Sequence, residues 1–222
     1  MSQTWLSAKY PLLPQFSKNN IPLLANFVAH MVHQMWHQKA NVKVGIPSIT
    51  FRDFCKGVIL RSEASPSVIF LGLKYVQRLT KHCPDIRGEE GSECRLFVIS
   101  LIISHKMLED STFTNQTWSE LTLIPVEELN QMEAEFLHSI KYRLHMPEEE
   151  FSQWLLYIEQ FIRHQEISYL NIVDLPFLNS QRLICCDIKK TPTHNHRSYS
   201  NVYSACYSVL GSELFSLSQQ GV

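Results

Sequence analysis

The stretch Ser92 to Asp110, SECRLFVISLIISHKMLED, constrains this chain more than any other. Leu96, Phe97, Val98, Ile99, Leu101, Ile102, Ile103, Met107 and Leu108 make it apolar almost all round. A helix apolar on every side belongs at the centre of a domain, wrapped by other helices. The β-branched residues would also suit a buried strand, and periodicity alone does not separate the two. Length does, because the segment runs well past the usual strand of roughly 5–6 residues. It is too short to span a bilayer, with Arg95 and His105-Lys106 closing the apolar run. Lys106 follows Ile103 by three and Ile102 by four, which places a lysine on a face expected to pack.

The flanking sequence also reads as helices. Pro22 opens one that runs to about His37, within a segment 22–39, with Leu23, Leu24, Phe27, Val28, Met31, Val32, Met35 and Trp36 at three-and-four spacing. Thr50 and Asp53 resemble a capping box ahead of Phe51, Phe54, Cys55, Val58 and Ile59. Ser65 reads as an N-cap with Pro66 at the first helical position. That helix runs to about Lys81, and its Gly72 allows close helix approach. The segment Cys83 to Gly91 is a loop, with one proline and two glycines among charges. The stretch 111–124 reads as a structured connector tacked to the core by Trp118. From Pro125 a strong amphipathic stripe follows: Val126, Leu129, Met132, Phe136, Ile140 and Leu144, with Leu137 beside it. Glu133 lies inside that stripe. Pro147 and the acidic first turn Glu148-Glu149-Glu150 open a last helix, where negative charge suits the dipole.

The sequence thus predicts an all-α chain: a flexible arm over 1–21, a helical domain over 22–164 and a weakly ordered, largely irregular tail over 165–222. The net charge of −1 leaves no broad basic surface for nucleic acid. The N-terminus shows no apolar signal-peptide core, which points to nucleus and/or cytoplasm and to no membrane association. Six scattered cysteines without a repeated Cys-x-x-Cys read as reduced thiols. His30, His33 and His37 share one side of the first helix, and Cys185, Cys186, His194 and His196 cluster late in the chain. Neither set shows a four-ligand zinc pattern, so a half-buried or solvated helix face is the preferred reading of the former and no metal or cofactor is expected. No Gly-rich phosphate loop, Gly-x-Ser-x-Gly or His-Glu-x-x-His is present, so a catalytic role is not expected.

Lys106 and Glu133 remain to be explained. Long charged side chains on apolar stripes are buried only when paired, or they snorkel outward. The functional reading is that they edge an exposed apolar patch that meets a partner.

The chain resembles a cyclin box, most closely that of the fungal Pcl-family cyclins of the phosphate-pathway type of cyclin-dependent kinase. Arg61-Ser62-x-x-Ser65, Tyr75-x-x-Arg78-Leu79, Arg95-x-Phe97, Lys106, Asp110, Thr114-Asn115-x-x-Trp118 and Leu129-Asn130-x-Met132-Glu133-x-Glu135-Phe136-Leu137 carry the likeness, in order, over about 48–164. The resemblance implies a single five-helix box with a central third helix, plus the additional N-terminal helix. It implies a non-catalytic regulatory subunit that binds and activates a cyclin-dependent protein kinase by docking near its C-helix. The kinase-binding residues it implies are Lys106, Met107, Glu133, Leu137 and Tyr142. Phe51-Arg52-Asp53-Phe54-Cys55 departs from the hydrophobic patch with which many two-box cyclins dock substrates. Residues 165–222 are too few and too broken for a second full box, as is common in the Pcl type. The alternatives are a cyclin-fold scaffold and a transcription-factor-like binding protein, neither activating a kinase.

Overall fold

Helix α4, Glu93–Leu108, occupies the centre of the domain. Every residue from Leu96 to His105 on it is buried. The computed structural model describes residues 13–16, 20–37, 45–84 and 91–173, the last with side chains to 163. Seven α-helices and no strands occur among these residues: α1 Ile21–His37, α2 Ile49–Ser62, α3 Pro66–His82, α4, α5 Asn115–Thr122, α6 Val126–Ser139 and α7 Glu148–Val173. The fold is all-α, as the sequence implies. None of the described helices is long and apolar enough to cross a membrane.

Local chemistry sets most of the helix starts. Ser65 caps α3 through its hydroxyl, which accepts from the Val68 N–H, and Pro66 follows at the first turn. Thr114 caps α5 in the same way through the Thr117 N–H. At α2 the cap is Ser48, whose Oγ accepts from the Phe51 N–H at 3.1 Å, and not the Thr50–Asp53 box. Ser48 has the extended backbone that an N-cap needs, whereas Thr50 is already inside the helix.

Helix α4 packs closely against α3 because Gly72 carries no side chain. A Cβ there would lie 3.1 Å from Ser104 Oγ and 3.2 Å from the Ser100 carbonyl oxygen. Ser100 and Ser104 turn their hydroxyls back to carbonyls of their own helix, on Phe97 and Leu101, so these small polar groups are satisfied in the core. Helix α1 lies against α2, α3 and α4. Phe27 on α1 joins three neighbours, with its ring 4.7 Å from Phe16 and 6.2 Å from both Phe70 and Phe161. Leu13 and Phe16 are themselves buried, about a short 3-10 turn Leu13–Gln15. This end of the expected flexible arm is therefore packed, because apolar side chains there complete the core around Phe27.

The connection from α6 to α7 is held by side chains of α3. Arg78 donates to the carbonyls of Arg143 and His145 (3.0 Å for the latter) and to Glu150 Oε2 at 2.9 Å. Tyr75 donates to the Leu144 carbonyl at 2.9 Å, and Trp154 on α7 donates back to the Phe70 carbonyl at 2.8 Å.

Three local expectations change. Residues 115–122, expected as a connector, form α5, and Trp118 within it is fully buried. The amphipathic stripe from Val126 does not remain helical to Leu144. Helix α6 closes after Ser139 with the Lys141 N–H on the His138 carbonyl and the Tyr142 N–H on the Leu137 carbonyl, both at 2.8 Å. That pair of bonds is a Schellman motif, and Lys141 and Tyr142 both take a left-handed φ of 54°. Helix α7 continues to Val173, past residue 164 where the irregular tail was expected to begin. Residues 174–222, with Cys185, Cys186, His194 and His196, lie outside the described residues.

Candidate functional site

The last turn of α4, the start of α5 and the middle of α6 converge on one polar network. Lys106 Nζ donates to both carboxylate oxygens of Glu133, at 2.7 and 2.8 Å. It also donates to Asn115 Oδ1 at 3.1 Å. The Asn115 amide nitrogen donates in turn to Glu133 Oε2 and to Asn130 Oδ1, each at 2.8 Å. The two odd charges of the sequence therefore pair, as the plainer of the two readings required. They do so at the surface: Lys106 is exposed and Glu133 half-buried.

The local causes are simple. Helix α4 loses its all-round apolar character at His105-Lys106, where it emerges from the core. His105 is still buried, with its ring 5.3 Å from Phe113 and 5.8 Å from Trp118. Burial holds its pKa below the usual histidine value, against a smaller opposing pull from Glu109. The neutral imidazole thus belongs to the packing, and the first charge at this end of the helix is Lys106. The Thr114 cap starts α5 at Asn115, which sets that amide between the two charges. Leu129, Met132 and Phe136 fix the rotation of α6 by entering the core, so Glu133 stands beside them at the edge.

Apolar surface adjoins the network. Met107 and Leu108, immediately after Lys106, are 45% and 49% exposed. Leu137, one turn beyond Glu133 on α6, is half-buried against the core. An ion pair with satisfied hydrogen bonds beside exposed methionine and leucine has the composition of a docking edge. Its charged groups are already oriented, and the apolar side chains offer area to bury.

A protein-family model described as Cyclin matches residues 8–144, more than half of the chain. The chain belongs to the cyclin family. This cyclin is 30% identical over 130 residues to the G1/S-specific cyclin pas1 of Schizosaccharomyces pombe, covering 55% of this chain and 30% of that one. It is 28% identical over 137 residues to PHO85 cyclin-5 of Saccharomyces cerevisiae, covering 59% of each. It is 25% identical over 115 residues to Cyclin-U2-2 of Arabidopsis thaliana, covering 52% of this chain and 50% of that one. The cyclin thus spans less than two thirds of the length of each of these relatives. No solved structure matches it.

Of the five residues singled out by the resemblance, the cyclin brings Lys106 and Glu133 into direct contact, with Met107 next in the chain and Leu137 on the same side of α6. Tyr142 stands in the turn that closes α6 and is 64% exposed. It lines a cavity of about 510 Å3 with Lys74, Arg78, Lys81, Arg143 and Glu150. Burial there raises the Glu150 pKa, but Arg78 and Lys74 more than reverse this and hold the carboxyl below its ordinary value.

Asn115 and Asn130 join the Lys106–Glu133 network, although the sequence names them only among the residues that carry the likeness and not among the expected contacts. Their further signal is positional: an asparagine just after a capping threonine, and one three residues before Glu133 on the same helix. Glu93 is a further omission, since it meets His33 and His37 across two helices.

Proposed function

We propose that this cyclin-family chain is a non-catalytic regulatory subunit that binds and activates a cyclin-dependent protein kinase. The observation that carries the proposal is the Lys106–Glu133–Asn115 network, hydrogen-bonded at the surface end of the central helix and flanked by exposed Met107 and Leu108. Lys106, Met107, Glu133, Leu137 and Tyr142 are the proposed kinase contacts. A carboxylate has acceptor sites for about four donors. Glu133 spends three of them on Lys106 and Asn115, which leaves capacity for about one further donor, such as a backbone N–H of a partner.

The chemistry belongs to the kinase. Phosphoryl transfer there requires a lysine–glutamate ion pair, with the glutamate on the C-helix, and bound metal in place together. A subunit docked near that helix raises activity only by binding the aligned arrangement better than the misaligned one. The likeness to PHO85 cyclin-5 supports a kinase of the phosphate-pathway type. Nucleus and/or cytoplasm is the proposed location of the complex.

The test is co-purification with a panel of cyclin-dependent kinases, followed by a kinase assay with wild type, Lys106→Glu and Glu133→Lys. Activation by wild type that both reversals abolish supports the proposal. Binding without activation favours a scaffold. A folded chain that binds none of the kinases overturns it.

A further inference from the structure

We infer that His33 and His37 of α1 and Glu93 of α4 form a zinc site that staples the N-terminal helix to the central helix. The two histidines are four residues apart, so one helix face presents both rings. Their centroids lie 4.6 Å from each other. Packing of α1 on α4 brings Glu93 to them, and the Trp36 indole fixes the register by donating to Ser92 Oγ at 2.7 Å.

Glu93 Oε1 lies 3.4 Å from His33 Nδ1 and 3.2 Å from His37 Nε2. Zinc bound tetrahedrally at about 2.0–2.1 Å sets its ligand atoms roughly 3.3–3.4 Å apart. The three candidate ligand atoms all lie within 4.8 Å of one another, so a small rotation of one imidazole closes the set around an ion.

The hydrogen bonding is incomplete in the same place. Glu93 is only 5% exposed, yet its Oε2 has no hydrogen-bond partner, and His37 Nε2 makes no well-directed hydrogen bond despite its short approach. A buried carboxylate is costly unless both oxygens are paired or hydrogen-bonded, and here only Oε1 is met, by His33 Nδ1 and the approach of His37 Nε2. The helix dipole at the start of α4 favours Glu93, but it does not account for two imidazoles converging on one carboxylate oxygen.

Zinc requires the imidazoles neutral. Two nitrogens and one carboxylate oxygen suit zinc, whereas calcium and magnesium prefer oxygen alone. Both histidines are half-buried, so the fourth position is open to water. His30, which the sequence groups with these histidines, is not one of the three ligands.

The test uses the untagged full chain, stripped with EDTA, desalted and titrated with zinc chloride near neutral pH. One zinc should bind per chain. The unfolding temperature should rise with free zinc, since the ion binds the folded state. His37→Ala and Glu93→Gln should each weaken binding at least tenfold, and Cys83→Ser should leave it unchanged. Melting in EDTA establishes that each variant folds, and the double variant His33→Gln/His37→Gln serves if His37→Ala does not. Absence of one-to-one binding down to the micromolar range, or binding that survives both ligand substitutions, overturns the inference. Kinase binding plays no part in this readout, so the proposed function stands or falls separately.

Discussion

Lys106 and Glu133 lie 27 positions apart in the chain, and the lysine ammonium sits within 2.8 Å of both carboxylate oxygens. The pair links the end of the central helix to the middle of α6, and Asn115 bridges the two from the first residue of α5. Each reversal, Lys106→Glu or Glu133→Lys, places like charges together. Because the pair lies at the surface, with Lys106 exposed and Glu133 half-buried, each should destabilise the fold by about 1 kcal/mol. The double swap should restore the internal pair and most of that stability. It should not restore kinase binding, because the partner would meet the charges in inverted places. Chemical denaturation of all four proteins, alongside kinase pull-down, separates the two effects. Full recovery of kinase binding by the swap would show that the pair acts only inside this chain.

Gly72→Ala should destabilise the domain although alanine is the better helix former. Exchange of glycine for alanine gains up to about 1 kcal/mol of helix propensity. Against this, the new methyl meets the Ser100 carbonyl at 3.2 Å, on the backbone of the most buried helix. Overpacking of this kind costs about 1–3 kcal/mol. The net loss should be about 1 kcal/mol, and Gly72→Val should lose several times that. Urea denaturation with an unchanged m value is the check, and a stabilised Gly72→Ala variant would contradict the close approach of α3 and α4.

Arg78→Lys should be costly despite retained charge. The guanidinium serves two loop carbonyls and Glu150 together, a fork that an ammonium does not reproduce. Loss of charge-assisted bonds at this largely buried group should cost about 2 kcal/mol. The loss should change little with added salt, which distinguishes it from a long-range charge effect. Thermal denaturation at low and high salt measures both.

The domain should weaken in mild acid through His30. Burial first, then Arg52 and His33, hold the pKa of this buried residue at about 4 in the folded chain, below the ordinary 6.5. The unfolded chain therefore takes up the proton first. Stability from this group is complete above about pH 6.5, and it is lost as pH falls from there towards 4. The loss should be of order 2 kcal/mol after solvent screening is discounted. His105, also held low by burial, adds a loss of the same sign. Equilibrium unfolding across this window should show a shallower pH dependence for His30→Gln than for wild type, and equal slopes would remove His30 from the account.

The sequence by itself determined every described α-helix except α5, and which of them lies at the centre. An apolar run with β-branched residues on all sides has no stable place except a core, and three-and-four spacing marks the helices around it. It also marked Ser65-Pro66 as a helix start and Gly72 as a point of close approach, because caps and missing side chains act locally. Lys106 and Glu133 stood out for the same reason: each breaks an apolar stripe within its own helix. The tertiary structure alone decided what those residues meet. The end of α6 rests on a left-handed Lys141 without the glycine that would signal it, since bonds to His138 and Leu137 carbonyls stabilise the turn. Phe16 belongs to the core only because Phe27 leaves a place for it. Asn115 bridges two charges, and Glu93 joins two histidines from 60 and 56 positions away. Such relationships depend on how helices cross, and helix crossing is set by packing over the whole domain, which no local window of sequence contains.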